Sequence, residues 1–140
     1  MLQPKKTKFR KQQKGRIKGI AVKGSILSFG KYGIKAVESG MITAKQIETI
    51  RVIISKTLGK TGKMWIKMFP DKPITRKAAG VRMGSGKGDP EFWAAVIRPG
   101  KILFEMDGID INTAKRVAEL ADDKLQMQVK FVEQKNNMAI

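Results

Sequence analysis

The sequence predicts an α+β fold: a mostly antiparallel sheet with two helices packed on one face, a basic N-terminal arm and a long Gly-rich basic loop. Three observations lead there. Two segments repeat apolar residues at helical spacing and carry capping residues at their ends. Short apolar or alternating runs lie between and after them, two of which flank a Pro-Gly turn. Charge and glycine are gathered into two stretches that could not build a core. A chain of 140 residues that is 41% hydrophobic fits one compact domain of modest core.

The first helix is marked by Thr43, followed three residues later by Gln46 in a capping-box pattern. Ile47, Ile50, Ile54 and Leu58 then recur at spacings of three and four, with Ile53 beside them. Lys45, Glu48 and Lys56 fall on the other face, and Gly59 sits where a C-cap glycine belongs. The second helix is predicted to begin near Asn112. Its stripe is Ala114, Val117, Ala118, Ala121 and Leu125, with Glu119, Asp122 and Asp123 facing out.

Strands fill the intervals. Met64 to Phe69 is apolar at nearly every position, which predicts a central strand. Phe92 to Ile97 and Ile102 to Met106 flank Arg98-Pro99-Gly100-Lys101 and read as a hairpin. Met127 to Phe131 alternates as a half-solvated strand should. Ser25 to Phe29 and Ile34 to Val37 are shorter candidates. Trp65, Phe69, Trp93, Phe104 and Phe131 are assigned to the core, whereas Phe9 and Tyr32 could either stack on bases or anchor the arm.

The net charge of +17 opposes compaction and points to a polyanionic partner. Its placement is sharper evidence. Residues 1–37 hold 11 Lys/Arg and no acid; residues 38–90 hold 11 basic and 4 acidic; residues 91–140 hold 7 basic and 8 acidic. Residues 1–23 are therefore expected to be a nucleic-acid-binding arm, whose early cations are Lys5, Lys6, Lys8, Arg10, Lys11, Lys14, Arg16 and Lys18. Within it, residues 1–19 have only Met1, Leu2, Phe9 and Ile17 as large apolar residues and cannot offset their own ordering entropy, but phosphate neutralisation and counterion release can. Residues 24–140 are expected to be a single α+β domain. Its basic loop, placed at 72–90, carries Lys72, Arg76, Lys77, Arg82 and Lys87 among Gly80, Gly84, Gly86 and Gly88. Glycine amides plus cations suit a phosphate backbone.

Other chemistries find little support. There is no histidine, which removes the commonest general base and metal ligand, and no cysteine. Gly84-Ser85-Gly86-Lys87-Gly88 faintly resembles a phosphate-binding loop. It has Val81 where that motif needs glycine, Gly88 where it needs Ser or Thr, and no apolar strand leading into it. Glu105, Asp107 and Asp110 could hold magnesium, but an Asp-Gly turn and a helix N-terminus account for the two aspartates. A chromatin protein would share the charge, yet the first helix has mixed charges and no recognition pattern. A membrane-surface binder would need a basic amphipathic helix, and both helices carry acids outside. The expectation is a non-enzyme with no catalytic residue, cofactor, metal, membrane or small-molecule substrate. No signal-peptide-like or membrane-spanning run is read, so a cytosol-like compartment is expected.

Three ordered motifs carry a family resemblance. They are the opening Met1-Leu2-Gln3-Pro4-Lys5-Lys6-Thr7-Lys8-Phe9-Arg10-Lys11 run ending in Lys14-Gly15-Arg16, the central Gly62-Lys63-Met64-Trp65-Ile66-Lys67-Met68-Phe69-Pro70-Asp71-Lys72-Pro73, and Arg82-Met83-Gly84-Ser85-Gly86-Lys87-Gly88 followed by Trp93. Together they resemble the bacterial-type large-subunit ribosomal protein L-sixteen family over nearly the whole chain. The resemblance implies an α+β sandwich that binds large-subunit rRNA, touches neighbouring large-subunit proteins and helps position A-site tRNA near the peptidyl-transferase centre. It extends the rRNA contacts to Lys60 and Lys63. It also implies that the loop bearing Arg76, Lys77, Arg82, Met83, Gly84, Gly86, Lys87 and Gly88 faces the tRNA. A bacterial cytoplasm, or an organelle matrix, is the implied setting. Gly59-Lys60 stands where the family usually has an arginine, which keeps a charge but loses a bidentate donor.

Overall fold

The computed structural model describes residues 2–5, 19–21, 24–75, 90–125 and 127–134. Its elements in chain order are β1 (Tyr32–Ala36), β2 (Gly40–Thr43), α1 (Ala44–Leu58), β3 (Lys63–Ile66), β4 (Lys72–Thr75), β5 (Pro90–Ile97), β6 (Ile102–Asp107), α2 (Ile111–Lys124) and β7 (Val129–Glu133). The α+β class is as expected, and every strand pair among the described residues is antiparallel. The strands divide between two sheets, one of four strands in the order β3-β6-β1-β7 and one of three in the order β2-β5-β4.

Both helices form where their local signals lie. The Thr43 hydroxyl accepts from Gln46 N–H at 3.1 Å while the Gln46 side chain accepts from Thr43 N–H at 2.9 Å, a complete capping box. Gly59 closes α1 with φ 67°, a left-handed conformation that a side chain would strain. In α2 the whole predicted stripe, from Ala114 to Leu125, is buried. The two helices pack on each other, α2 against β1 and β7, α1 against β2, β3 and β5. Ile34, Ile47, Ile50, Ile54, Phe104 and Val117 are among the members of the one cluster they share.

Sheet register sorts the side chains into two rows. Ile66, Phe104, Ile34 and Phe131 lie side by side across β3, β6, β1 and β7 and join or pack on the helix-side core. One step along, Trp65, Glu105, Gly33 and Val132 form the next row, which alternation turns to the opposite face. A Cβ on Gly33 would collide with the Leu27 side chain, so glycine there lets residues 27–30 lie down on that outer face.

Four expectations are corrected. The Arg98–Lys101 turn exists, with Lys101 N–H donating to Arg98 C=O at 3.2 Å and Gly100 at φ 94°, but it joins no hairpin. β5 belongs to the three-stranded sheet and β6 to the four-stranded one. Turn chemistry sets the reversal, while partner choice went to distant strands: β6 continues onto β1 through reciprocal 2.8 Å bonds linking Ala36 with Gly100 and Lys101. The Met64–Phe69 run is an edge strand, not a central one, and ends at Ile66. Its strand residues, Met64 to Ile66, are all apolar because Met64 and Ile66 pack on the core while Trp65 covers the outer face; Phe69, assigned to the core, is 47% exposed. Ser25–Phe29 is irregular, because its last amides bind a side chain instead of a strand. Tyr32, which the sequence leaves open between stacking on bases and anchoring, is not among these corrections: it is buried in β1 and stacks on Phe131 at 5.7 Å.

The four-residue strands β2 and β4 carried no signal of their own. β4 occupies the first residues of the expected 72–90 loop, and Pro90 opens β5, so the stretch between strands is 76–89, outside the described residues.

Candidate nucleic-acid interface

Of the predicted contact residues, the described part of the chain places Lys5, Lys60 and Lys63, and all three are exposed. Lys5 follows Leu2, which packs partly on the core. Lys60 lies in the α1–β3 connection and Lys63 opens β3. That connection is tight: a Cβ on Gly62 would sit 2.6 Å from the Leu58 Cβ, and one on Gly108 2.5 Å from the Thr61 carbonyl. The two lysines thus project from a short, backbone-packed turn beside the Asp107–Gly108 bend. Lys6, Lys8, Arg10, Lys11, Lys14, Arg16 and Lys18 of the arm lie outside the described residues. So do Arg76, Lys77, Arg82, Met83, Gly84, Gly86, Lys87 and Gly88 of the loop, and Phe9.

Where the N-terminal segment meets the domain, the chain is tied at several points. Ala21 N–H donates to Pro99 C=O at 2.9 Å, and Ile102 N–H to Gly24 C=O at 2.7 Å. Residues 28–30 then close over Glu105. Its Oε1 accepts from the amides of Ser28, Phe29 and Gly30 at 2.7, 2.9 and 3.1 Å, and its Oε2 lies 3.6 Å from Lys67 Nζ. The carboxylate is 0% exposed. Burial pushes its pKa up, but the three amides and the lysine outweigh burial and hold it below the usual carboxylate range. Gly30 must be glycine for this closure, since a Cβ would meet the Met106 carbonyl oxygen at 2.6 Å.

This clamp fixes an aromatic on the surface. Phe29 is 60% exposed, and its ring stacks on Trp65 at 5.9 Å with 22° between planes. Lys67 Nζ lies 4.3 Å from the Phe29 ring centre. The reading of the residues missed both the clamp and this ring. A signal was present: Glu105 is the lone acid within Ile102-Leu103-Phe104-Glu105-Met106, and an acid in a strand buried on both faces must have partners.

The other two carboxylates weighed for magnesium are used locally. Asp107 Oδ1 accepts from Gly108 N–H at 2.8 Å. Asp110 caps α2, and its hydrogen bond from the Thr113 hydroxyl, with help from the Thr113 amide, holds its pKa low. Among the described residues no three acids or other ligands converge on a metal-sized site, and no helix is long and apolar enough to cross a membrane. Among the described residues the surface offers exposed lysines and exposed phenyl rings, Phe29 the most open of them.

A family model described as Ribosomal protein L16p/L10e matches residues 4–132, a span that runs from the basic N-terminal segment through nearly all of β7. With that match over most of its length, the chain belongs to the L16p/L10e family of ribosomal proteins, structural, non-enzymatic constituents of the large ribosomal subunit that serve translation in association with ribosomal RNA and other ribosomal proteins.

Proposed function

We propose that this chain grips large-subunit rRNA with residues 1–23 and with Lys60 and Lys63, and reaches A-site tRNA near the peptidyl-transferase centre with the loop bearing Lys77, Arg82 and Lys87. The observation that carries this reading is the run of 37 residues with 11 cations and no acid. Cations at that density suit a phosphate backbone, and residues 1–19, whose large apolar residues are Met1, Leu2, Phe9 and Ile17, have too little apolar surface to offset their own ordering entropy. The domain, residues 24–140, acts as the rigid base from which the arm and the loop extend. Peptide-bond chemistry belongs to the RNA; the protein supplies positioning and charge neutralisation. A bacterial ribosome is the setting the sequence resemblance favours.

If the eight cations from Lys5 to Lys18 each neutralise one phosphate, the log–log salt slope of rRNA binding is roughly −6, at about 0.7 per contact. The test is sedimentation of tagged protein through a high-salt gradient, with sequencing of the RNA that co-purifies. The full chain is expected on large subunits, and a chain lacking residues 1–19 at the top of the gradient. The truncated chain at full occupancy in mature particles refutes the arm's role. Arg82→Ala is expected to incorporate normally but to slow A-site tRNA accommodation; unchanged accommodation kinetics refute the loop's role.

A further inference from the structure

The fold buries a carboxylate and exposes a phenyl ring at the same place, against the usual preference of both groups. A buried charge is tolerated where it fixes something, and what Glu105 fixes is the backbone of Ser28, Phe29 and Gly30. We infer that Phe29, backed by Trp65 and flanked by Lys67, is a stacking platform for one unpaired base of the large-subunit rRNA. The inference rests on the rRNA-binding reading above and adds to it a base contact outside the basic arm and loop.

Three features suit a base. The ring is held before any ligand arrives, by three backbone bonds beneath it, by Trp65 at 5.9 Å and by Lys67 at 4.3 Å, so little freedom is lost on stacking. It still keeps 60% of its surface open, and any base presents a π-face to it. Beside it there is room and charge for the rest of a nucleotide. Lys67 also lines a cleft of about 620 Å³ where the chain after β3 runs beside β5, a size within the usual range for small-molecule sites. Phe69, 47% exposed, and Lys101 line the same cleft, where two lysines face the single acid Asp71. Lys67 is already the counter-ion of Glu105, so Lys101 is the cation this lining offers a phosphate, and a polar lining of that kind suits a nucleotide better than the apolar, charge-poor centre of a protein interface does.

The test uses the full chain and purified large-subunit rRNA, with binding measured across a salt series. Phe29→Leu keeps apolar bulk against Trp65 but removes the π-face. It is expected to weaken binding about fivefold or more with an unchanged salt slope, because a stacked base adds affinity without neutralising phosphate. Phe29→Tyr is expected to restore wild-type affinity. In large subunits assembled with the full chain, a photo-crosslinker at position 29 is expected to label an rRNA base. Wild-type affinity in Phe29→Leu overturns the platform and leaves the arm reading intact. Equal losses in the Leu and Tyr variants overturn it too, since the position would then act through the fold. So does crosslinking to a neighbouring ribosomal protein alone. Failure of the unaltered chain to bind rRNA removes both readings together.

Discussion

The helix α2 and the Glu105 clamp follow opposite rules. In α2 the acids Glu119, Asp122 and Asp123 face solvent while Ala114, Val117, Ala118 and Ala121 are buried. In the clamp the acid is sealed in and the phenyl ring stands out. The first arrangement needs nothing but its own periodicity. The second holds only because three amides arrive from 75 to 77 residues earlier in the chain. The contrast teaches that burial follows residue type where partners are local, and follows available partners where they are distant.

The largest expected effect tests the clamp. Glu105→Ala strands three amides and leaves Lys67 without its counter-ion, and breaking a buried pair of this kind costs about 3–5 kcal/mol. Urea unfolding reads it directly; a loss below about 1 kcal/mol, the net worth of an ordinary hydrogen bond, would mean that the clamp is incidental. The same group makes stability depend on pH. Its pKa is lowered by folding, so its contribution is complete above the unfolded value, about 4.3, and is lost as pH falls through the folded one. The wild-type urea midpoint is therefore expected to fall more steeply than that of Glu105→Gln on going from pH 5 to pH 3. Parallel curves would show that the carboxylate is not the acid-sensitive element.

A smaller effect marks the helical layer. Ile50 is 0% exposed in the shared core, so Ile50→Ala is expected to cost about 2–5 kcal/mol by lost transfer energy and the cavity left behind. Its loss should be the same at pH 7 and at pH 4, unlike that of Glu105. A pH-dependent loss at Ile50 would couple the helix layer to the clamp and erase the contrast. The smallest effect tests purely local structure. Thr43→Ala removes one half of the α1 capping box and is expected to cost about 1 kcal/mol, read as a shift in thermal midpoint with the sheet spectrum unchanged.

Legibility followed the same division. Thr43, Gln46, Gly59 and the Ile47–Leu58 stripe specify α1 within one stretch of chain, and the structure places each in the role its type predicts. The Pro99-Gly100 turn was equally legible, but its flanking strands were paired with each other although they belong to different sheets. A turn reports that the chain reverses, not which neighbour each strand then chooses. Trp65 and Met64 look alike in sequence; one covers the outer face and the other packs on the core, so the apolar run suggested a centre where there is an edge. Of the candidate interface, the cations were legible from composition, whereas Phe29 was not, because its exposure depends on Glu105.

By itself the sequence determined the two helices with their caps and buried stripes, the gathering of cation into the first third, and the lack of histidine and cysteine that leaves little for catalysis. These depend on spacings of three and four residues and on composition, which any window of chain contains. Only the tertiary structure decided that β5 and β6 part into different sheets, that Tyr32 belongs to the core, and that Glu105 holds Phe29 at the surface. Each of these depends on which distant segment fills a face or satisfies a buried group, and that is set only when the whole core closes.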